Sequence, residues 1–87
     1  MATNPPPKVS HHPSESIENI AYSSVQDIPT REPNDQNRLG YYVWRWLVEK
    51  SGTLEQAIRN SGSHTLIPYE QVIRIVKEKL RQRGIKV

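Results

Sequence analysis

Residues 40–50, GYYVWRWLVEK, concentrate aromatic and aliphatic side chains in a chain of 87 residues that is otherwise polar. On a helix, such a segment presents apolar groups on two sides, because side chains three and four residues apart share a face. One side carries Leu39, Tyr42, Val43 and Trp46, with Leu47 beside them. The opposing side carries Tyr41, Trp44 and Val48. A chain this short has little core with which to cover both sides, so this segment constrains the fold more than any other.

Apolar periodicity predicts an all-α fold, with a small, three-helix, bundle-like domain at residues 34–87. The predicted helices span about residues 35–50, 54–60 and 68–83. We expect Asn34 or Asp35 to cap the first helix. Thr53 and Gln56 have the spacing of a capping box at the start of the second. The third carries apolar residues on one helical face, at positions 69, 72, 73, 76 and 80.

Residues 1–33 are predicted to form a disordered, proline-rich arm, because they hold six of the seven prolines and few apolar residues. An apolar island at residues 16–28, SIENIAYSSVQDI, interrupts this arm. Its Ile17, Ile20 and Ala21 would share one helical face. Such an island can fold onto a partner, or back onto its own domain to cover the second apolar side of the first helix. We predict that it is a linker, and folding remains the alternative.

The charges divide unevenly along the chain. Residues 1–34 carry two basic and four acidic side chains, whereas residues 35–87 carry ten basic and five acidic ones. The cations predicted to bind a nucleic acid or an acidic protein lie near the carboxyl end: Arg74, Lys77, Arg81, Arg83 and Lys86. The alternative is that these cations offset the negative end of the helix dipole and raise solubility.

The residue types argue against several kinds of chemistry. The chain has no cysteine, which removes disulfides, thiolate metal sites and a cysteine nucleophile. Its glycines, at 40, 52, 62 and 84, are too scattered to form a phosphate-binding loop. His11 and His12 lack the third and fourth ligands of a structural metal site. We therefore expect a protein without catalytic activity, cofactor, metal or small-molecule substrate.

The sequence also gives an expectation about location. The amino terminus, MATNPPPKVSHHP, has no apolar core of the length that a signal peptide needs. The longest apolar run, Tyr41 to Trp44, is far shorter than the roughly 20 residues of a membrane-spanning helix. We expect a soluble, intracellular protein, cytoplasmic or nuclear, that does not enter a membrane.

One segment resembles a known DNA-binding motif. GTLEQAIRNSG, followed by a basic helix that ends in LRQRGI, is similar to the carboxy-terminal motif of the Fis-like bacterial regulators. Ala57 lies between Gly52 and Gly62, as the alanine of that motif lies between two glycines. The resemblance covers less than half of the chain and implies a helix-turn-helix. The sequence departs from it at residues 61–67, which are too many for the three or four residues of the turn, and at the acidic Glu70.

These patterns favour a non-catalytic protein-interaction module or adaptor. Its predicted contact residues for a protein partner or a second copy are Tyr41, Trp44, Arg45 and Val48. The basic third helix would attract an acidic protein or a nucleic acid. Two alternatives stay open: a helix-turn-helix DNA-binding regulator, and a single-stranded nucleic-acid binder in which Tyr41 and Trp44 stack on bases. A third explanation is that all these aromatic rings belong to the core.

Overall fold

The computed structural model describes residues 15–87, and these residues form four α-helices. They are α1 (Ile17–Val25), α2 (Pro33–Glu49), α3 (Leu54–Asn60) and α4 (Tyr69–Gln82). Between residues 15 and 87 the extended structure is limited to one antiparallel bridge, which joins Thr30 to Thr65. The all-α prediction is therefore confirmed, but the three predicted helices are joined by a fourth.

The additional helix, α1, lies in the island that we predicted to be a linker. Ser16 caps it, since its hydroxyl accepts a hydrogen bond from the backbone N–H of Asn19 at 3.0 Å. Its inner face is buried and consists of Ile20, Ala21, Ser24 and Val25. The Ser24 hydroxyl donates to the carbonyl of Ala21 at 2.7 Å, so burial leaves it satisfied. The second half of the predicted arm, which contains α1, therefore packs into the folded domain. Residues 1–14 lie outside the described part.

The helices form a ring around one apolar core. Helices α1 and α3 each pack against both α2 and α4, so that α2 and α4 lie on opposite sides. Every helix contributes to the core, as does the α1–α2 loop. The buried apolar residues are Ile20, Ala21, Val25, Ile28, Leu39, Val43, Leu47, Leu54, Ile58, Val72, Ile73, Val76 and Leu80.

Helices α1 and α2 form an antiparallel hairpin that is unusually close at one point. The Gln36 amide donates to the carbonyls of Gln26 at 3.1 Å and Ile28 at 2.9 Å, which fixes the connecting loop. Further along, the ring of Tyr22 packs against Gly40. A glycine within a helix costs about 1 kcal/mol relative to alanine. Here its missing side chain is what lets α1 approach.

The start of α2 differs from the prediction. The helix begins at Pro33, and the residue before it, Glu32, makes no side-chain capping bond. Asn34 and Asp35 are therefore not caps. Instead Asp35 lies in the first turn and is buried. Its carboxylate contacts Arg38 of the same helix and His64 of the α3–α4 loop.

The predicted start of α3 is confirmed, and a glycine closes the end of α4. The Thr53 hydroxyl accepts from the N–H of Gln56 at 3.1 Å, and the Gln56 side chain accepts from the N–H of Thr53 at 3.2 Å, which completes the capping box of α3. At the end of α4, Gly84 has a φ of +83°. This left-handed residue lets the N–H of Ile85 turn back to the carbonyl of Leu80 at 3.0 Å.

Candidate interaction surface

The outward face of α2 carries the residues that we predicted to form a contact patch. Tyr41 is 44% exposed and Val48 is 54% exposed, although both are large apolar side chains. Arg45 is exposed between them, and Trp44 is half-buried against the core. The rings of Tyr41 and Trp44 lie 5.8 Å apart, centroid to centroid. We call these residues, Tyr41, Trp44, Arg45 and Val48, the α2 patch.

The patch is exposed because α2 packs its other faces against its neighbours. The buried stripe of α2 runs through Asp35, Leu39, Gly40, Val43 and Leu47. Helix α1 folds back onto the domain, which was one of the explanations that would have hidden the patch. Tyr41 and Val48 nevertheless stay exposed in its presence. The explanation that all these aromatic and apolar side chains belong to the core therefore fails for Tyr41 and Val48. It applies in part to Trp44, which is half-buried against the core.

The other aromatic residues of α2 are engaged within the chain. The indole N–H of Trp46 donates to the carbonyl of Gly52 at 3.1 Å, which joins α2 to the α2–α3 corner. The ammonium of Lys50 lies 4.9 Å from the centre of the same indole, and the Arg45 guanidinium lies 5.6 Å from the centre of the Tyr42 ring. These rings line an open groove of about 420 Å³ between α2 and α3. The indole N–H of Trp46 is thus bonded within the chain, and each of the two rings has a cation near its centre.

Arg45 also belongs to an ion pair on the same face. Its guanidinium lies 3.7 Å from the Glu49 carboxylate, one turn further along α2. About half of each side chain is exposed, at 44% and 52%. Pairs this exposed contribute about 0–1 kcal/mol. The arginine can therefore remain neutralised by Glu49 or reach a partner at little cost.

The basic carboxyl-terminal helix is more neutral than its sequence indicates. Its cations pair with acidic residues that are distant in the chain: Lys77 with Glu55 at 2.6 Å, Lys79 with Asp27 at 2.8 Å, and Arg83 with Glu15 at 2.7 Å. Two of these acids come from the segment that we predicted to be part of the acidic arm. Pairing within the chain thus accounts for two predicted partner-binding residues, Lys77 and Arg83. The unequal division of charge was the available sequence signal for this fold-back.

The Lys77–Glu55 ion pair joins α4 to α3, and at 2.6 Å it is shorter than the Arg59–Glu70 pair between the same helices, at 3.8 Å. The ammonium of Lys77 donates to the Glu55 carboxylate, and this hydrogen bond lowers the pKa of Glu55 below its ordinary 4.5. The remaining predicted cations are Arg74, Arg81 and Lys86, which are exposed. Within residues 15–87, none of the three lies within 4.0 Å of a carboxylate side chain. Arg81 instead donates to the Val87 carbonyl at 3.3 Å.

The α3–α4 connection differs from the turn of a helix-turn-helix. It comprises the eight residues 61–68, whereas the motif uses three or four. The first turn of α4, which would enter the major groove, carries an exposed Glu70 that lies 3.8 Å from the Arg59 guanidinium. The departures that the sequence showed from the Fis-like motif are therefore also present in the structure.

A buried carboxylate at the other end of α2 joins that helix to the α3–α4 loop. The Asp35 side chain lies 3.2 Å from the Arg38 guanidinium and 3.4 Å from His64 Nδ1. The backbone N–H of His64 is the main cause that holds the pKa of Asp35 below its ordinary 3.8, and both side chains add to the effect. The Ser63 hydroxyl donates to the Asp35 carbonyl at 2.8 Å. Sequence reasoning missed this cluster, which serves to fix the α3–α4 loop.

Within the described residues, no three histidine, aspartate or glutamate side chains are grouped so that they could hold a metal ion. His11 and His12 lie outside those residues. None of the four helices combines the length and the apolar character that crossing a bilayer requires.

Comparisons of the chain with family models, with curated proteins and with solved structures found no match.

Proposed function

We propose that this protein is a non-catalytic interaction module that binds a protein partner through the α2 patch. The observation that carries the proposal is the exposure of Tyr41 and Val48 after all four helices have closed around the core. Both side chains lie on one face of a single helix, seven residues apart. Exposed apolar side chains that are adjacent on one surface are more typical of binding sites than apolar side chains that are scattered singly.

The composition of the α2 patch supports a role in binding. Tyrosine, tryptophan and arginine are the residue types that most often dominate the energy of protein interfaces. Burial of apolar surface contributes roughly 25 cal/mol per Å². Because α2 is a helix of 17 residues that packs against α1 and α3, its backbone is ordered before a partner arrives. A partner therefore loses little affinity to the ordering of this surface.

The basic residues have a smaller role in this proposal than the sequence indicated. Arg45 supplies a charge within the patch itself, next to Tyr41 and Val48. The exposed cations of α4 and the following turn, Arg74, Arg81 and Lys86, would favour a partner with an acidic surface nearby. Lys77 and Arg83 contribute less, because each already has a carboxylate at hydrogen-bond distance.

The test compares patch variants with a matched control. Tyr41→Ala and Val48→Ser remove exposed apolar groups from the patch, while Leu66→Ser removes an even more exposed one, at 66%, in the α3–α4 loop. We expect both patch variants to lose the proteins that the full chain retains in pull-down experiments, and Leu66→Ser to retain them. Circular dichroism should show the same helicity for all three. Loss of the same proteins by Leu66→Ser, or their retention by both patch variants, would refute the proposal.

A further inference from the structure

We propose that an open hollow between the α1–α2 loop and the α3–α4 loop binds the carboxyl terminus of a polypeptide whose last residue is apolar. We call it the loop hollow. Its volume of about 550 Å³ lies within the roughly 300–1,000 Å³ of ligand-binding clefts. The inference goes beyond the proposed function, because none of its lining residues belongs to the α2 patch. They are Arg31, Ser63, His64, Thr65, Leu66 and Tyr69.

The loop hollow is built on the antiparallel bridge between Thr30 and Thr65. The N–H of Arg31 donates to the His64 carbonyl at 2.8 Å, and the N–H of Leu66 donates across the same bridge at 2.9 Å. Successive side chains of extended backbone alternate between its two faces. The side chains of Arg31, His64 and Leu66 therefore share one face, and those of the two bridge threonines share the other. The bridge thus brings a cation and a large apolar side chain together on one surface.

Arg31 is the residue that selects an anion. It is exposed, and within residues 15–87 its guanidinium has no carboxylate within 4.0 Å. Among the described residues, no acidic one lines the loop hollow. Glu32 and Asp35 line a neighbouring hollow, where the Asp35 carboxylate already lies 3.2 Å from Arg38. Because a planar guanidinium can bind a carboxylate through two parallel hydrogen bonds, a terminal carboxylate suits Arg31.

Leu66 and Tyr69 supply the apolar part of the loop hollow. Leu66 is 66% exposed, the largest fraction among the large apolar side chains that the structure describes. The Tyr69 hydroxyl donates to the carbonyl of Ser63 at 2.6 Å, which holds the ring as a wall. A side chain placed against Leu66 and this ring would remove apolar surface from water. The ligand therefore combines a carboxylate with an apolar group.

Thr65 favours a peptide over a free carboxylic acid. In the bonding pattern of this bridge, the N–H and C=O of Thr65 point away from residues 29–31. Neither group makes a hydrogen bond to another residue in the part of the chain that the structure describes. Because Thr65 also lines the loop hollow, a peptide bound there can pair its own backbone with these groups.

The expected affinity is modest, because the loop hollow is open and the bound group is small. We expect a Kd on the order of 0.1–1 mM for one apolar residue with its carboxylate. Complexes this weak dissociate when a pull-down is washed. Leu66→Ser therefore remains a valid control for the α2 patch, whose partners are detected in that way.

The first test titrates the isotope-labelled full chain with acetyl-alanyl-alanyl-leucine and follows its backbone amide signals by NMR. We expect a saturable shift centred on residues 64–66. The same peptide with a carboxamide terminus should bind about 10-fold more weakly, because it cannot form the charge-assisted pair with Arg31. A shift that does not saturate, or equal affinity for the two peptides, would overturn the inference.

The second test uses variants of the chain. Arg31→Gln keeps the backbone bond to His64 and removes the guanidinium, so the peptide should bind about 10-fold more weakly. Leu66→Ser should weaken it several-fold through the lost apolar contact. Arg74→Gln is the matched control, since Arg74 is also exposed and, within residues 15–87, has no carboxylate within 4.0 Å. Equal weakening by Arg74→Gln would show that overall charge binds the peptide, and the site would be wrong.

The third test separates the peptide from a free acid. Isocaproate carries the leucine side chain and a carboxylate without peptide groups, so it should bind several-fold more weakly than the peptide. Equal affinity would overturn the role of the Thr65 backbone and with it the peptide assignment.

The two proposals can fail separately. Tyr41→Ala should leave the peptide affinity unchanged, because Tyr41 does not line the loop hollow. If Tyr41→Ala weakens the peptide as much as Arg31→Gln does, the peptide is bound elsewhere and the inference is wrong. The pull-down comparison of the α2 patch does not depend on either result.

Discussion

The ring of Tyr22 lies directly against the backbone of Gly40, so that a Cβ atom added at residue 40 would be 2.4 Å from the ring's Cδ1. This contact joins α1, which lies in a segment that we predicted to be a linker, to the helix that carries the α2 patch. The glycine is unfavourable for α2 alone, and it is required by the packing of α1 on α2. The approach of these two helices decides whether the second half of the predicted arm is part of the domain.

Gly40→Ala should therefore destabilise the protein, although alanine is the better helix former by about 1 kcal/mol. The new methyl group would overlap the Tyr22 ring, and overpacking of this kind costs about 1–3 kcal/mol. Urea unfolding followed by circular dichroism measures the change in the free energy of unfolding. The double variant Tyr22→Ala/Gly40→Ala is the control, because without the ring the added methyl should become neutral or stabilising. An equal loss in both backgrounds would show that the ring is not the cause.

The buried carboxylate of Asp35 should make stability depend on acid pH. Because the folded protein lowers the pKa of Asp35 below 3.8, the ionised form stabilises the fold. That stabilisation is complete above the ordinary pKa and is lost as the pH falls through the lowered value. Unfolding free energies measured between pH 7 and pH 2.5 should show this decline. Asp35→Asn should be less stable at neutral pH and should lose part of the decline; an unchanged pH profile would contradict the assignment.

The ion pairs that join α1 to α4 should act locally rather than on the whole fold. Lys79 and Arg83 bond the carboxylates of Asp27 and Glu15, which flank α1 on both sides. Since these pairs are partly exposed, we expect Arg83→Gln and Lys79→Gln to change global stability by about 0–1 kcal/mol each. The larger effect should be faster hydrogen exchange at the α1 amides, and the difference from the unaltered chain should shrink as salt screens the ion pairs. Arg74→Gln, which breaks no such pair, should leave that exchange unchanged.

The residues of the α2 patch should differ in what they contribute to stability. Trp44 packs against the core, so Trp44→Ala should destabilise the fold by about 1–3 kcal/mol. Val48 is mostly exposed, and Val48→Ala should change stability by no more than about 0.5 kcal/mol. Thermal or urea unfolding of the two variants measures this difference. A loss of about 1 kcal/mol or more for Val48→Ala, equal to that for Trp44→Ala, would show that about the same amount of each side chain is packed in the core.

Several features of the fold could be predicted from the sequence because they depend on residues close together in the chain. The apolar periodicity of residues 69–80 gave α4, and the Thr53 and Gln56 spacing gave the capping box of α3. The helical spacing of Tyr41, Trp44 and Val48 likewise placed them on one side of α2, and the structure leaves Tyr41 and Val48 exposed. Each of these depends on contacts within about two turns of a helix, which the local sequence specifies.

The tertiary structure alone decided the state of α1, the role of Asp35 and the neutralisation of the basic helix. A helix of nine residues has little stability by itself, so whether α1 forms depends on the faces of α2 and α4 that cover it. Ser63, which donates to the Asp35 carbonyl, is 28 residues away in the chain, and Glu15 meets Arg83 across 68 residues. A linear pattern shows the charge and the apolarity of such residues. It does not show their partners, because those depend on how distant segments are brought together around the core.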